Sequence, residues 1–491
     1  MNYGQFLQML PEAFLVLSLI LVFIGDFCLH RSERKNSVLS KLTAALLVCQ
    51  IAITTTASPA NVFGGMYVAT QAAQVMKVIL TLGTLIVVIM AQTWLDGNSQ
   101  TASSKYVNSK YCGEFYLLVL STLLGMFIMV SSGNFLLFFL GLETASVPMA
   151  CLVAMDKWKK ISAEASAKYI LTATFSSGVM LFGLSFVYGS TGTLYFGDVA
   201  ERIAYYAGYK SQLPMLIMGL AFFFSGLGFK LSLVPFHFWT ADTYQGAPTP
   251  VTGYLSVVSK GAAAFATMVI LCKAFGPLVY YWEYMLYIVI VLSITIANLF
   301  AIRQTELKRF MAFSSISQAG YIMLAVVGAS QTGMASLMYY VLVYVVANMA
   351  VFTVISAVEH SGGNTMMSSY NGLYQTNPRL AFLMTLALFS LAGIPPFAGM
   401  FSKFFVFMAA AQQGSFWAYF VVFVALVNTV VSLYYYLLIV KAMYIRQTDS
   451  PLPAFSTDGA TRLALTVCTA GIILFGICSC IYDWLFAAST L

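Results

Sequence analysis

The sequence predicts an all-α, polytopic membrane protein of about fourteen transmembrane helices. Three observations carry this. Of its 491 residues 60% are hydrophobic and 8% charged, whereas soluble domains carry about 25% charged residues. The mean hydropathy is +0.85, so no stretch is polar enough to stand as a soluble domain. Apolar runs long enough to cross a bilayer recur along the chain. They fall near 8–29, 38–57, 70–95, 113–131, 134–155, 165–189, 212–240, 248–272, 284–302, 310–328, 333–358, 380–411, 415–440 and 463–488.

The basic residues test that count. With these spans, seventeen of the 24 lysines and arginines fall in one set of alternating loops and at its span ends. Only Arg202, Lys210 and Lys273 fall on the other side, and Lys77, Lys230, Lys260 and Lys403 lie inside spans. Lysine and arginine favour cytoplasmic loops. Both termini are therefore expected on the outer face. The net charge of +7 is explained by this asymmetry, and a nucleic-acid partner is not expected. No cleavable leader is expected, because the first run lacks a basic preceding segment and is long enough to remain a span.

A weak internal repeat appears five spans apart. ASAKYIL (165–171) pairs with ASLMYYV (335–341), and LSLVPF (231–236) with LAGIPPF (391–397). An odd spacing inverts the second copy, and inverted repeats with interrupted helices are a transporter feature. Pro235 interrupts the seventh span, and Pro395 and Pro396 the twelfth. Proline breaks the helical ladder, which a membrane tolerates where protein or water satisfies the freed groups.

The buried ionisable residues carry the chemistry. Glu143, Lys230, Lys260 and Lys403 are each flanked by apolar sequence. A charge at the bilayer centre costs at least about 2.5–3.5 kcal/mol. A static ion pair would account for Glu143 with Lys230, but no spare acid matches Lys260 or Lys403. Lysine suits a relay because a desolvated ammonium can release and rebind its proton, which arginine cannot do. His237, beside Pro235, is either a relay or a structural histidine. Lys168 follows Glu164 by one helical turn, as a surface pair or a modulator. Glu12, Asp26 and Lys77 sit near enough to span ends to snorkel or cap. Residues 197–209 suggest a short interfacial helix. The eight cysteines form no CxxC, so no metal or iron–sulfur site is expected.

Four strings together resemble the antiporter-like membrane subunits of the respiratory complex I superfamily. They are GLETASVPM around Glu143, AEASAKY around Lys168, GFKLSLVPFHFWTADTYQGAPTPVTGYLSVVSK (228–260) and LAGIPPFAGMFSKF (391–404). The resemblance spans nearly the whole chain. It implies N-terminal helices 1–3 over residues 1–112 and a first five-helix repeat over 113–275. A second, inverted repeat follows over 276–445, then a last helix over 446–491. Helices 7 and 12 are broken. In the family's scheme Glu143 and Lys230 form a switching pair, Lys168 modulates Lys230, Lys260 relays, and Lys403 is the terminal site. It further implies a bacterial cytoplasmic membrane and sister membrane-arm subunits as partners. No cofactor is expected in this chain; NADH, FMN, iron–sulfur clusters and quinone belong to partner subunits. Two alternatives share these motifs, a multisubunit Na⁺/H⁺ antiporter subunit and a membrane-bound hydrogenase subunit; a scaffold subunit that pumps nothing and an independent solute carrier are rivals of other classes.

Overall fold

The computed structural model describes residues 4–29, 32, 34–96, 111–207, 212–362, 364–448, 452–478 and 480–489. Arg31, Lys105, Lys110 and Lys210 of the charge count lie outside the described residues. The first six spans are α1 (Leu10–Cys28), α2 (Lys35–Thr56), α3 (Gln71–Leu95), α4 (Cys112–Val130), α5 (Phe135–Val153) and α6 (Lys160–Thr191). A short amphipathic helix, α7 (Phe196–Ala207), follows where the interfacial helix was expected. The seventh span is split into α8 (Leu213–Leu231) and α9 (Phe238–Gly246). Then come α10 (Thr249–Lys273), α11 (Val279–Ile302), α12 (Leu307–Val327) and α13 (Gln331–His360). The twelfth span is split into α14 (Pro378–Ala392) and α15 (Ala398–Ala411). The chain closes with α16 (Phe416–Tyr444), α17 (Gly459–Ile477) and α18 (Cys480–Ala488). A small antiparallel hairpin, β1 (Ala60–Val62) and β2 (Tyr67–Ala69), joins α2 to α3.

Among the described residues, thirteen helical segments are long and apolar enough to cross a membrane. The split pair α14–α15 supplies the remaining predicted span, because each half is too short alone.

Local sequence sets the helix starts. Thr70 caps α3 by accepting from the Ala73 N–H at 3.2 Å, and Asn134 caps α5 by accepting from Leu136 N–H at 2.7 Å. Ser330 and Ser415 cap α13 and α16 in the same way, satisfying donors that the first turn leaves orphaned. Close packing uses small residues, as membrane helices do. A Cβ on Gly125 of α4 would lie 2.4 Å from the Ala145 nitrogen of α5, and one on Gly141 2.6 Å from the Met129 nitrogen.

The helices differ sharply in burial, and this locates the axis of the molecule. The most apolar window of α12 is 100% buried and those of α10 and α13 are 89%, against 28% for α1. Lipid-facing helices need only apolar side chains outward. Polar groups on α10, α12 and α13 must instead find partners within the protein.

Candidate functional site: a row of buried lysines across two helix breaks

At the first break, α8 ends at Leu231 and Ser232 turns left-handed at φ 60°. The freed backbone groups are met locally. Trp239 Nε1 donates to the Phe229 carbonyl at 3.2 Å, and the Val234 N–H donates to Ser293 Oγ at 2.9 Å. Lys230 is the penultimate residue of α8 and 4% exposed. Its Nζ donates to Ser146 Oγ at 2.7 Å and lies 3.5 Å from the Tyr169 hydroxyl. Glu143 sits one turn before Ser146 on α5, half-buried, and accepts a 2.5 Å hydrogen bond from Ser177 Oγ. The predicted pair therefore shares one site without direct ion pairing; the Ser146 hydroxyl, not the carboxylate, holds the ammonium.

At the second break, α14 ends at Ala392 and Gly393 takes φ 89°, a conformation glycine adopts without strain. Lys403 folds back from α15 so that its Nζ donates to the Ala392 carbonyl at 2.9 Å, 4.9 Å from the Tyr321 ring centroid. The end of α14 thus presents both its last carbonyl and the negative end of its dipole to the ammonium. Gly399 permits this approach, since a Cβ there would fall 1.6 Å from the Ser390 carbonyl oxygen.

Between the breaks, Lys260 follows a wide turn at Leu255–Ser259 in α10 and is 2% exposed. Its Nζ donates to Ser315 Oγ of α12 at 2.8 Å, and Ser315 reaches the Tyr244 hydroxyl at 3.3 Å. The adjacent Ser314 meets the Tyr436 hydroxyl at 2.6 Å. Gln318, one turn on, donates to Tyr436 and to the Leu391 carbonyl, both at 3.3 Å, and accepts from Tyr340. Leu391 adjoins Ala392, the acceptor of Lys403. Two hydrogen-bonded groups, one at Lys260 and one reaching the residue next to Ala392, thus start from the adjacent Ser315 and Ser314 of α12. Among the described residues, the hydroxyls of Ser232, Thr240, Thr243, Ser317, Tyr344 and Ser390 and the Asn348 carbonyl oxygen are buried without a protein partner.

A cavity of about 200 Å³ lies at the end of α10 nearest Thr249 and is lined by Asp156, Lys159, Lys308 and Glu359. Thr249 Oγ1 donates to Glu359 Oε2 at 2.6 Å. Asn348 donates to Ser256 Oγ at 2.8 Å, one turn before Lys260. Sequence reasoning missed Glu359, Asn348, Gln318 and the Ser314–Ser315 pair. A search for amides within apolar spans would have found Gln318 and Asn348, because such groups also demand a buried partner.

The remaining candidates are placed elsewhere. Lys168 is 44% exposed and bridges Glu164 at 2.6 Å and Asp242 at 2.7 Å, while Arg309 holds the other Asp242 oxygen at 2.8 Å. Its neighbour Tyr169, not Lys168 itself, reaches Lys230. His237 lines a cavity of about 470 Å³ with Pro235 and Asp242; its Nδ1 has no protein partner. Lys77 does not snorkel. It is fully buried, pairs with Glu12 at 2.5 Å and lies 3.1 Å from the Tyr67 hydroxyl, which also donates to Glu12 at 2.9 Å. Asp26 pairs with Lys35 at 2.7 Å. Among the described residues no cluster of histidine, cysteine or acidic residues could hold a metal ion.

Residues 132–429 match the family described as NADH:quinone oxidoreductase/Mrp antiporter, TM. A NADH-quinone oxidoreductase subunit N from Phocaeicola vulgatus is 56% identical over 99% of both chains. The chain belongs to the subunit N family. A second member, from Azobacteroides pseudotrichonymphae, is 47% identical over 99% of this chain and 98% of its own. Among solved structures, a chain of respiratory complex I from Thermus thermophilus with bound aureothin superposes with a TM-score of 0.76 at 30% identity. That match covers 95% of this chain and 97% of the other. The protein is accordingly a multi-pass, proton-translocating membrane subunit of a complex I-type NADH:quinone oxidoreductase.

Proposed function

We propose that Lys230, Lys260 and Lys403 are the proton-carrying groups of this subunit, with Glu143 modulating Lys230. One observation supports this most strongly. Among the described residues none of the three lysines is in an ion pair. Each instead donates to a hydroxyl or a backbone carbonyl. A buried lysine with no carboxylate against it is free to lose its proton. A helix-locking residue would be expected to hold a charge partner.

In this reading protons reach Lys260 from the Glu359 cavity, by way of Thr249, Ser256 and Asn348. They pass along Ser314, Ser315, Tyr436 and Gln318 to Lys403. Hydroxyls both donate and accept, so the serine, threonine and tyrosine steps are each a rotation and a hop, while the amides of Asn348 and Gln318 orient the hydroxyls beside them. Lys230 sits beside this line, and a charge change at Glu143 alters how readily Lys230 holds its proton. Pro235, Pro395 and Pro396 belong to the breaks that open helix ends toward the lysines. Lys168 acts only at a distance, through Tyr169 and Asp242, and His237 is a side branch. Residues 113–275 and 276–445 are the two inverted repeats, framed by residues 1–112 and 446–491. The basic face is cytoplasmic and both termini lie outside. Sister membrane-arm subunits adjoin the chain. The driving electron transfer, with its NADH, FMN, iron–sulfur clusters and quinone, takes place in other subunits.

Lys260→Arg in the intact assembly tests the reading. Arginine keeps the charge and hydrogen-bonding capacity but cannot deprotonate. Assembly is expected to persist while proton translocation is lost. Normal translocation by this variant would overturn the relay.

A further inference from the structure

We infer that the groove between the N-terminal ends of α14 and α17 is a binding site for an anionic phospholipid. A cavity of about 840 Å³ lies there, bounded by these helix ends and by residues 454–457. Arg379 and Arg462 line it at the end that faces the basic side, both exposed. Neither is in an ion pair among the described residues. Arg462 Nε donates to Thr457 Oγ1 at 3.2 Å, which aims the side chain and leaves its terminal nitrogens without a partner among the described residues. Among the described residues the Asp458 carboxylate is not paired with it.

The mouth of the groove is pre-formed. Asn377 donates to the Pro453 carbonyl at 3.2 Å and accepts from the Phe455 N–H at 3.2 Å, pinning the loop to the start of α14. Beyond the arginines the lining is mostly apolar, with Leu380, Leu383, Leu465 and Ala470 interleaved with the hydroxyls of Thr466 and Thr469. The outer faces of both helices beside it present exposed Phe382 and Leu463.

Cations at the mouth with a mostly apolar wall beyond them match the phosphate and acyl chain of a phospholipid. Free phosphate would use only the arginines and leave the apolar half unexplained. A neutral lipid would leave two arginines without a counter-charge. Basic pockets between membrane helices bind anionic head groups for this reason.

The test uses the whole assembly in phosphatidylethanolamine vesicles containing a trace of phosphatidylglycerol with a photoreactive acyl chain. A matching phosphatidylcholine probe is the control. Peptide mass spectrometry is expected to find the α14 and α17 peptides labelled on the order of tenfold more by the anionic probe. Arg379→Gln with Arg462→Gln should reduce this to the control level, and excess inorganic phosphate should not. Equal labelling by both probes overturns the proposal, as does labelling unchanged in the double variant. Loss of labelling on adding phosphate would indicate a simple anion site. Absence of labelling would indicate a protein surface over the groove. Either contradicts it. Should the double variant fail to assemble, each single variant and the two-probe comparison on the native assembly still decide.

Discussion

Lys77 and Lys230 are both buried lysines in apolar helices, yet their surroundings differ in kind. Lys77 is clamped by Glu12, with Tyr67 donating to the same carboxylate. Lys230 rests on a serine hydroxyl at a helix break, with its nearest carboxylate engaged by Ser177. The first arrangement is closed: every charge is answered inside the N-terminal helices. The second is open, and so are those of Lys260 and Lys403. Burial of a lysine is therefore no mark of proton transport by itself; on the proposed reading the partner decides.

Five variants sharpen or break that contrast. The largest effect belongs to the closed pair. Glu12→Ala should strand a buried ammonium and cost about 3–5 kcal/mol, seen as loss of thermal stability of the assembly. Replacing both residues, Glu12→Leu with Lys77→Met, should restore most of it, because no charge is then left unpaired. If the double replacement abolished proton pumping in a stable assembly, Lys77 would belong with the relay. Next, Lys403→Ala should reduce coupled turnover on the order of 10²-fold, the lower end of what a positioned proton-transfer group contributes. Assembly should remain, since only one backbone carbonyl, that of Ala392, loses its donor. A smaller loss, about tenfold in coupled turnover, is expected of Glu143→Gln, which keeps the Ser177 contact but removes the charge that bears on Lys230. Smallest is Lys168→Ala. Exposed pairs contribute about 0–1 kcal/mol, so turnover measured in membranes should stay within about twofold. A loss as large as that of Glu143→Gln would move Lys168 into the relay.

Much of this was legible in the sequence, for identifiable reasons. A span announces itself through sustained hydropathy, and the breaks through Pro235 and Pro395–Pro396, because each signal is local. Lys260 and Lys403 stood out because a charge in an apolar run has no cheap explanation. What the sequence hid was long-range pairing. Glu12 and Lys77 are 65 residues apart and Lys168 and Asp242 74 apart, and nothing in either local pattern joins them. Gln318 and Asn348 were missed because uncharged amides do not stand out in helices buried on every side. Periodicity could not help on α12, whose whole hydropathic window is buried, so no face is distinguishable from another. The split of the twelfth span into two short helices was visible as prolines but not as ends. The fold-back of Lys403 onto Ala392 depends on Gly393 and Gly399 together.

The most direct measurement of the central claim is on Lys230→Ala in the intact membrane assembly, comparing electron-transfer rate with proton uptake in the same vesicles. The account predicts that the assembly forms while quinone reduction and proton uptake fall together, because coupled steps stall together. Normal turnover with normal proton uptake would contradict it, and Lys230 would then be a structural residue like Lys77.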